Sequence, residues 1–337
     1  MRVLVTGGMG YIGSHTCIQL LNAGHDPIIV DNLSNSKPLV LDRIQKITGR
    51  RPGFVLGDVC DKRFLINVLQ EHKVESVIHF AGVKSVGESN SLPIKYYENN
   101  FIGSLRLIEA MQSANVTSLV FSSSATVYGD PASVPIKESF PIQPTNPYGR
   151  SKSMVEQFLQ DFQHANSDWS ITLLRYFNPI GAHDSGLVGE DPNGEPSNLV
   201  PYIAQVAFGK RYSLGIFGND YDTPDGTGIR DYVHVVDLAD GHLAALNKTI
   251  NTPGTHVFNL GTGRGHSVLE ILRAFEEHSK LKIPYSIKPR RQGDIAKCWA
   301  NVADAHKILQ WKATRSLATM IKDTWNWQVM NPNGYDS

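Results

Sequence analysis

Tyr148 and Lys152 stand four residues apart in the segment Asn146-Pro147-Tyr148-Gly149-Arg150-Ser151-Lys152. Proline is well tolerated in a first helical turn, so the segment predicts a helix opening at Pro147. Residues four apart share one helical face, which sets a phenol beside an ammonium. A free tyrosine has a pKa of about 10 and is a poor base at neutral pH. A nearby cation favours the phenolate and lowers such a pKa by roughly 1–3. The pair can therefore act as a general base on a hydroxyl proton. Many ordinary helix surfaces also carry a Tyr and a Lys at this spacing, so the reading needs a nucleotide site beside it.

The first residues of the chain offer one. Arg2-Val3-Leu4-Val5-Thr6 is a short apolar strand, followed by glycines at Gly7, Gly10 and Gly13. Ser14 to Leu21 has helical apolar spacing, and a second strand, Pro27 to Val30, ends at Asp31. Strand, glycine turn, helix, strand and acid is the order that binds a dinucleotide. The glycines let the backbone approach a pyrophosphate, and the helix N-terminus offers free N–H groups. An acid roughly 20 residues further on accepts from the adenosine ribose hydroxyls. A carboxylate there repels a 2′-phosphate, so NAD is expected rather than NADP. The plain alternative is a glycine turn that only joins strand to helix. The glycine spacing, three and three, is also not the two and three of the commoner fingerprint.

The first half of the chain must hold these groups in place. Strands are expected at Gly53–Asp58, Ser76–Gly82, Ser118–Ser124 and Ile171–Pro179, with helices at Lys62–His72 and Tyr96–Asn115. Near-continuous apolar strands between helices imply a parallel sheet covered on both faces. Its ligands bind beyond the carboxyl ends of the strands, where Gly7, Asp31, Asp58, Phe80–Lys84 and Ser122–Ser124 all fall. From Gly181 to Gly228 the chain is rich in Gly, Pro, Asn and Asp, with one helical patch at Leu199–Phe208. The expected fold is α/β: a Rossmann-like doubly wound parallel sheet, with a smaller loop-rich C-terminal substrate lobe. The boundary is drawn at 178/179, with some elements of the second half returning to the first domain.

Bulk properties narrow the class. Lys+Arg and Asp+Glu are equal at 32 each, so neither a nucleic-acid patch nor a membrane-surface tail is indicated. No apolar run approaches the ~20 residues that span a bilayer. The first strand begins at Arg2, which is expected to leave no room for a signal peptide. Cys17, Cys60 and Cys298 are scattered, and the 12 histidines form no HxxxH or HExxH pair. A cytoplasmic protein without a metal is expected. Trp299, Trp311, Trp325 and Trp327 are read as packing near the C-terminus.

Together, Gly7-Gly8-Met9-Gly10-Tyr11-Ile12-Gly13, Ser122-Ser123-Ser124 and Tyr148-Gly149-Arg150-Ser151-Lys152 resemble the extended short-chain dehydrogenase/reductases. Four further segments narrow the likeness to the UDP-hexose 4-epimerase group: the stretch from His79 to Ser89, Arg175 to His183, Ile216 to Tyr221, and Gly226 to Val235. So do Ser124 to Asp130 and Arg290 to Trp299, and the likeness runs along nearly the whole chain. It implies a bound NAD and a UDP-sugar substrate such as UDP-glucose or UDP-galactose. It implies catalysis by Tyr148 as base, Lys152 as its cation and Ser124 as the group bridging the sugar's 4-oxygen to the phenol. It implies NAD contacts from Gly7, Gly10, Tyr11, Ile12, Gly13, Asp31, Asn32, Leu33, Ser34, Asn35, Ser36, Asp58 and Val59. Phe80, Ala81, Gly82, Val83, Lys84, Asn99, Ser122, Tyr148, Lys152 and Phe177 complete that set. It implies that Lys84, Ser124, Tyr148, Asn178, Asn198, Leu199, Phe217, Arg230, Arg291, Asp294 and Cys298 meet the UDP-sugar, and that the protein is a homodimer.

Two positions depart from the pattern. Met9 stands in the glycine loop where a small residue is common. Cys298 stands where the group's strict UDP-glucose/galactose members carry a bulky Tyr; its small side chain implies room for an acetamido group, hence action on UDP-GlcNAc and UDP-GalNAc as well. A sugar-nucleotide dehydratase would need Asp-Glu where Ala125 and Thr126 stand, which argues against elimination. A net oxidoreductase and a non-enzymatic NAD-binding protein remain the other classes, since fold does not fix function. Taken alone, each Arg of the second half reads equally well as a surface salt bridge.

Overall fold

The computed structural model describes residues 1–250, 252–291 and 293–336. The first half alternates β1 (Arg2–Thr6), α1 (Tyr11–Asn22), β2 (Asp26–Asp31), α2 (Leu39–Thr48), β3 (Gly53–Leu56), α3 (Lys62–Glu71) and β4 (Ser76–His79). Then come α4 (Val86–Ser91), α5 (Pro93–Tyr96), a π-helical turn (Tyr97–Ile102), α6 (Gly103–Ser113), β5 (Ser118–Ser124), α7 (Pro147–Ala165) and β6 (Ser170–Tyr176). The second half adds β7 (Asn178–Ile180), α8 (Leu199–Ala207), β8 (Leu214–Phe217), β9 (Ile229–His234), α9 (Val235–Thr249) and β10 (Gly254–Leu260). It ends with β11 (Gly265–Ser267), α10 (Val268–Ser279), β12 (Tyr285–Lys288), β13 (Lys297–Cys298), α11 (Ala303–Ile308) and α12 (Leu317–Met330).

Seven strands form one sheet in the order β10-β6-β5-β4-β1-β2-β3, and every pairing is parallel. Parallel neighbours need long crossovers, which the helices supply. Residues of α1, α2 and α9, among them Ile18, Ile44 and Leu246, fill one face of the sheet. Leu65, Leu107, Val155 and Leu159 of α3, α6 and α7 fill the other. With both faces covered, β4 and β5 are buried along their whole lengths, and alternation disappears. Trp311 and Trp327 pack into the first of these cores, and the Trp311 indole donates to the Asp237 carbonyl at 2.8 Å.

The second half divides its elements. β10 extends the central sheet beyond β6, and α9 packs on α1. The remainder builds a smaller lobe in which β9 pairs with β7, β11 and β13. Its core unites Val200 and Ile203 of α8, Phe275 of α10 and Ile321 of α12. Asp231 of β9 ties this lobe to the sheet. Its fully buried carboxylate accepts from the Thr262 N–H (2.8 Å) and hydroxyl (2.6 Å), the Gly263 N–H (3.0 Å) and the Ala300 N–H (3.1 Å).

Four elements differ from expectation. The strand read through Gly82 stops at His79, which leaves Phe80–Gly82 in the loop after β4. The helix read as Tyr96–Asn115 is interrupted by the π-helical turn at Tyr97–Ile102, which holds one residue more than an α turn. The strand read through Pro179 stops at Tyr176; the Phe177 N–H donates to the Leu260 carbonyl, and β7 joins the other sheet. Strand β3 ends at Leu56, leaving Asp58 in the turn that follows.

Replacing Asp231 by Ala strands the buried Ala300 N–H and takes the acceptor from the partly exposed N–H groups of Thr262 and Gly263. At roughly 1–3 kcal/mol for a buried unsatisfied group, with water reaching the others, Asp231→Ala should lose about 2–3 kcal/mol of unfolding free energy in urea titrations. A loss below about 1 kcal/mol would show that the anchor lies elsewhere.

Candidate active site

Ser122, Ser123 and Ser124 end β5 at the carboxyl edge of the sheet, and α7 crosses above them. The helix starts where the sequence places it. Pro147 opens it, and the Asn146 side chain accepts from the Gly149 N–H at 2.9 Å, a regular N-cap. Tyr148 and Lys152 consequently face β5, and both are buried. The Lys152 ammonium donates to the Ser122 carbonyl at 2.9 Å and lies 4.8 Å from the centroid of the Phe121 ring. Burial lowers the Lys152 pKa to about 8, while Glu156 pulls it up.

The Tyr148 phenol differs from the expected lowered pKa. Burial pushes it well above the ordinary tyrosine range; Tyr176 adds to the rise, a hydrogen bond with Ser124 opposes it, and Tyr96 raises it further. Desolvation is the largest cause, and the Lys152 ammonium is directed at the Ser122 carbonyl. The Tyr96 ring meets Tyr148 edge-on, at 6.4 Å between centroids. Ser124 Oγ accepts from the Thr126 N–H (3.2 Å) and hydroxyl (2.9 Å). With its lone pairs so engaged, the Ser124 proton points to another acceptor.

The glycine loop is a cradle closed to side chains. A Cβ on Gly13 would lie 2.4 Å from the Gly7 carbonyl oxygen, and one on Gly7, whose φ is +69°, 2.7 Å from the Ala81 nitrogen. The N-terminus of α1 has no side-chain cap. Asp31 fastens the loop: its carboxylate accepts from the N–H groups of Met9 (3.0 Å) and Leu33 (2.9 Å) and from the Ser36 hydroxyl (2.8 Å). Met9 is buried in the core rather than turned into the cradle. Asn32 donates to Asp58 at 2.9 Å. Burial raises the Asp58 carboxyl, but donation from the Cys60 N–H and from Asn32 outweighs it and holds the carboxyl below its usual range. Ser34 and Asn35 face the second half, where Asn193 donates to both. Val59 is buried beside Gly103. Free helical N–H groups, a glycine cradle and carboxylates at the ends of β2 and β3 suit a dinucleotide. Among the described residues no three His, Cys, Asp or Glu side chains gather as a metal cage.

Of the predicted substrate residues, Lys84, Ser124 and Tyr148 belong to the first half of the chain, and the others to the second. Arg291 stacks on Phe217, 3.8 Å from the ring centroid, and the Asp294 N–H donates to the Arg291 carbonyl at 3.2 Å. Arg230 approaches Asp294 at 3.8 Å, and in the β9/β13 register it lies beside Cys298. Cys298 is buried in one apolar cluster with Ala125 and Phe177, and burial pushes its thiol up to about 11. Asn178 begins β7, and Leu199 follows Asn198 into α8. Lys84 and Asn198 meet on one carboxylate: Glu190 Oε1 accepts from Lys84 at 2.7 Å and from Asn198 at 2.9 Å.

Sequence reasoning missed four of these residues. Glu190 bridges the two halves. Thr126 fills the Ser124 lone pairs. Tyr176 reaches Ser122 and shares the Tyr148 environment. Asn100, rather than half-buried Asn99, clamps the loop after β4: it accepts from the Val83 N–H at 2.8 Å and donates to the Val83 carbonyl and the Ser151 hydroxyl, each at 3.0 Å. The only signal was an Asn-Asn pair on the helix facing that loop.

The pattern of the NAD dependent epimerase/dehydratase family matches residues 3–261. The chain is 57% identical to the UDP-glucose 4-epimerase of Yersinia pestis over 336 residues, 99% of each chain. Its fold is similar to that of UDP-glucose 4-epimerase from Bifidobacterium longum, solved with NAD+ and UDP. The TM-score is 0.97 and the identity 52%, over 99% of this chain and 100% of that one. It is also similar to the UDP-Glc/GlcNAc 4-epimerase of Campylobacter jejuni, with a TM-score of 0.85 and 35% identity over 98% and 99% of the two chains. On that match, which covers well over half of the sequence, the chain belongs to the NAD dependent epimerase/dehydratase family.

Proposed function

We propose that this chain is a UDP-hexose 4-epimerase that interconverts UDP-glucose and UDP-galactose, and UDP-GlcNAc and UDP-GalNAc. The observation that carries the reading is the convergence of Ser124, Tyr148 and Lys152 on the carboxyl end of β5. The similarity to named epimerases along the whole chain supports it.

Gly7, Gly10–Gly13, Asp31–Ser36, Asp58, Val59, Phe80–Lys84, Asn99, Ser122 and Phe177 would hold NAD. NAD, when bound, supplies the acceptor and donor of the sugar's C4 hydride and a positive charge. Tyr148 takes the proton of the 4-hydroxyl and returns it. Its burial makes the resting group a phenol, so proton removal relies on donors that favour the phenolate. Ser124, whose Oγ accepts from Thr126, has one proton to give such a hydrogen bond, and it would bridge phenol and 4-oxygen once one of the Thr126 bonds is released to free a lone pair. Lys152 holds the compensating charge as an ammonium. Arg230, Arg291 and Asp294, with Asn178, Asn198, Leu199 and Phe217, would hold the UDP moiety, since guanidinium forks match phosphate oxygens. Cys298, which packs with Ala125 and Phe177, would bound the space for the substituent at C2.

The free thiols Cys17, Cys60 and Cys298 fit a reducing cytoplasm. The apolar side chains that α5, the π-helical turn and α7 expose, Ile94, Ile102 and Met154, support a homodimer seam there.

Incubation of purified protein with each UDP-sugar, without added NAD, followed by product analysis, tests the reading. Epimer must accumulate for both the plain and the N-acetylated pair; no detectable UDP-GalNAc from UDP-GlcNAc would remove the second activity. Tyr148→Phe should lower kcat by about 10²–10⁴ while the protein keeps its fold by circular dichroism, and full retention of activity would exclude the assigned base. Cys298→Tyr should abolish turnover of UDP-GlcNAc and keep that of UDP-glucose. Equal turnover of both by this variant would place the control of the acetamido group elsewhere.

A further inference from the structure

Directly below the candidate catalytic groups lies a buried ionic cluster that the reaction as described does not use. Glu156 follows Lys152 by one turn on the same face of α7 and is 2% exposed. Its carboxylate accepts from the Ser123 hydroxyl at 2.5 Å, from Arg175 Nε at 3.0 and 3.1 Å, and from Arg175 Nη2 at 2.6 Å. Ser123 and Arg175 are register partners on β5 and β6. Each sits next to a residue of the site: Ser123 lies between Ser122 and Ser124, and Arg175 precedes Tyr176. The second arm of Arg175 donates to the Tyr128 hydroxyl and the Glu138 carbonyl, both at 3.0 Å. One carboxylate thus fixes α7 on two strands at the level where Lys152 meets the Ser122 carbonyl.

We propose that Glu156 is a positioning residue that acts through Lys152, holding α7 on β5 and β6 and setting a negative charge one turn below the ammonium. The inference rests on the role given to Lys152 above. Lys152 is faced by Tyr148 and Glu156 from its own helix, by the Ser122 carbonyl and Phe121 ring from β5, by His79 from β4 and by Gly82 from the loop beyond it. Burial, then Lys152 itself, drives the His79 pKa to about 3, so His79 is neutral. Glu156 is the carboxylate in this set, and it opposes the loss of the Lys152 proton that burial favours. Arg175 offsets part of that charge from behind. A neutral group at this position would keep a hydrogen bond to Ser123 but would set no negative charge beside Lys152.

The test is the pH dependence of kcat/KM in the NAD-loaded enzyme, from neutral to alkaline pH. Lys152 must stay protonated, so activity falls as pH rises through its pKa. In Glu156→Gln that limb should move toward neutrality, with roughly tenfold more activity lost at alkaline pH than at neutral pH. Ser123→Ala, which removes a neutral partner and leaves the charge, should keep the wild-type profile shape. If Glu156→Gln does not fold because Arg175 is left unpaired, Glu156→Gln/Arg175→Gln removes both charges and should move the limb in the same direction. An unshifted limb, with kcat lowered uniformly, overturns the proposal and leaves Glu156 a structural anchor. Lys152→Met separates the two layers: if it keeps wild-type activity, the role of Lys152 falls first. If it is inactive while the Glu156 variants keep the wild-type profile, only the inference about Glu156 falls.

Discussion

Seven strands running in one direction leave one edge at which every carboxyl end emerges. That constraint decides where everything else in the molecule can be. Each crossover must return a helix to the opposite edge before the next strand starts, so loops at the carboxyl edge are the ones free to vary in sequence and shape. The glycine turn after β1, Asp31 after β2, Asp58 after β3, the clamped loop after β4 and the serines closing β5 are therefore neighbours in space, although more than a hundred residues of sequence separate the first from the last. The glycine cradle and the Ser124–Tyr148–Lys152 group are two readings of one geometric fact.

The second lobe obeys a different rule. It has a core of its own, yet its alignment with the sheet depends on directional polar contacts. Asp231 joins the turn after β10 to the segment after β13, and Glu190 joins the loop after β4 to the start of α8. The junction of the two lobes is thereby set by carboxylates that accept several donors at once, while apolar packing sets the interior of each lobe. Directional bonds fix orientation more tightly than non-directional burial.

How much of this could be read from the sequence follows from the range of each interaction. The glycine loop, Asp31 and the Tyr148/Lys152 face were legible because strand, turn and helix signals act within a few residues. The predicted substrate residues were not legible that way: Arg230, Arg291 and Asp294 read as loop charges in the sequence although Arg230 lies on β9, and family resemblance alone singled them out. β10 passed unnoticed because one short apolar run has no local mark of which sheet it joins. Asn100, Glu190 and the Glu156–Arg175 pair depend on partners 17 to 106 residues away. The direction of the Tyr148 shift was misread for the same reason, since spacing reveals a neighbouring cation but not the depth of burial.

The π-helical turn at Tyr97–Ile102 carries a consequence for how this stretch of chain can change over time. A π turn is a helix with one residue more than its hydrogen-bond ladder needs. Deleting that residue would restore an unbroken α-helix and its backbone bonds at no cost to helicity. Because the extra residue is taken up within one wide turn, the helix on either side would keep its facing, and the change would fall on the side chains of the turn itself. Asn100 would swing away from Val83 and Ser151, and the loop after β4 would lose its clamp. Local stability and the shape of the carboxyl edge therefore pull in opposite directions here. The irregular turn is the length-keeping device of this segment: a shorter version of the chain is a better helix and a worse frame for Gly82 and Lys152.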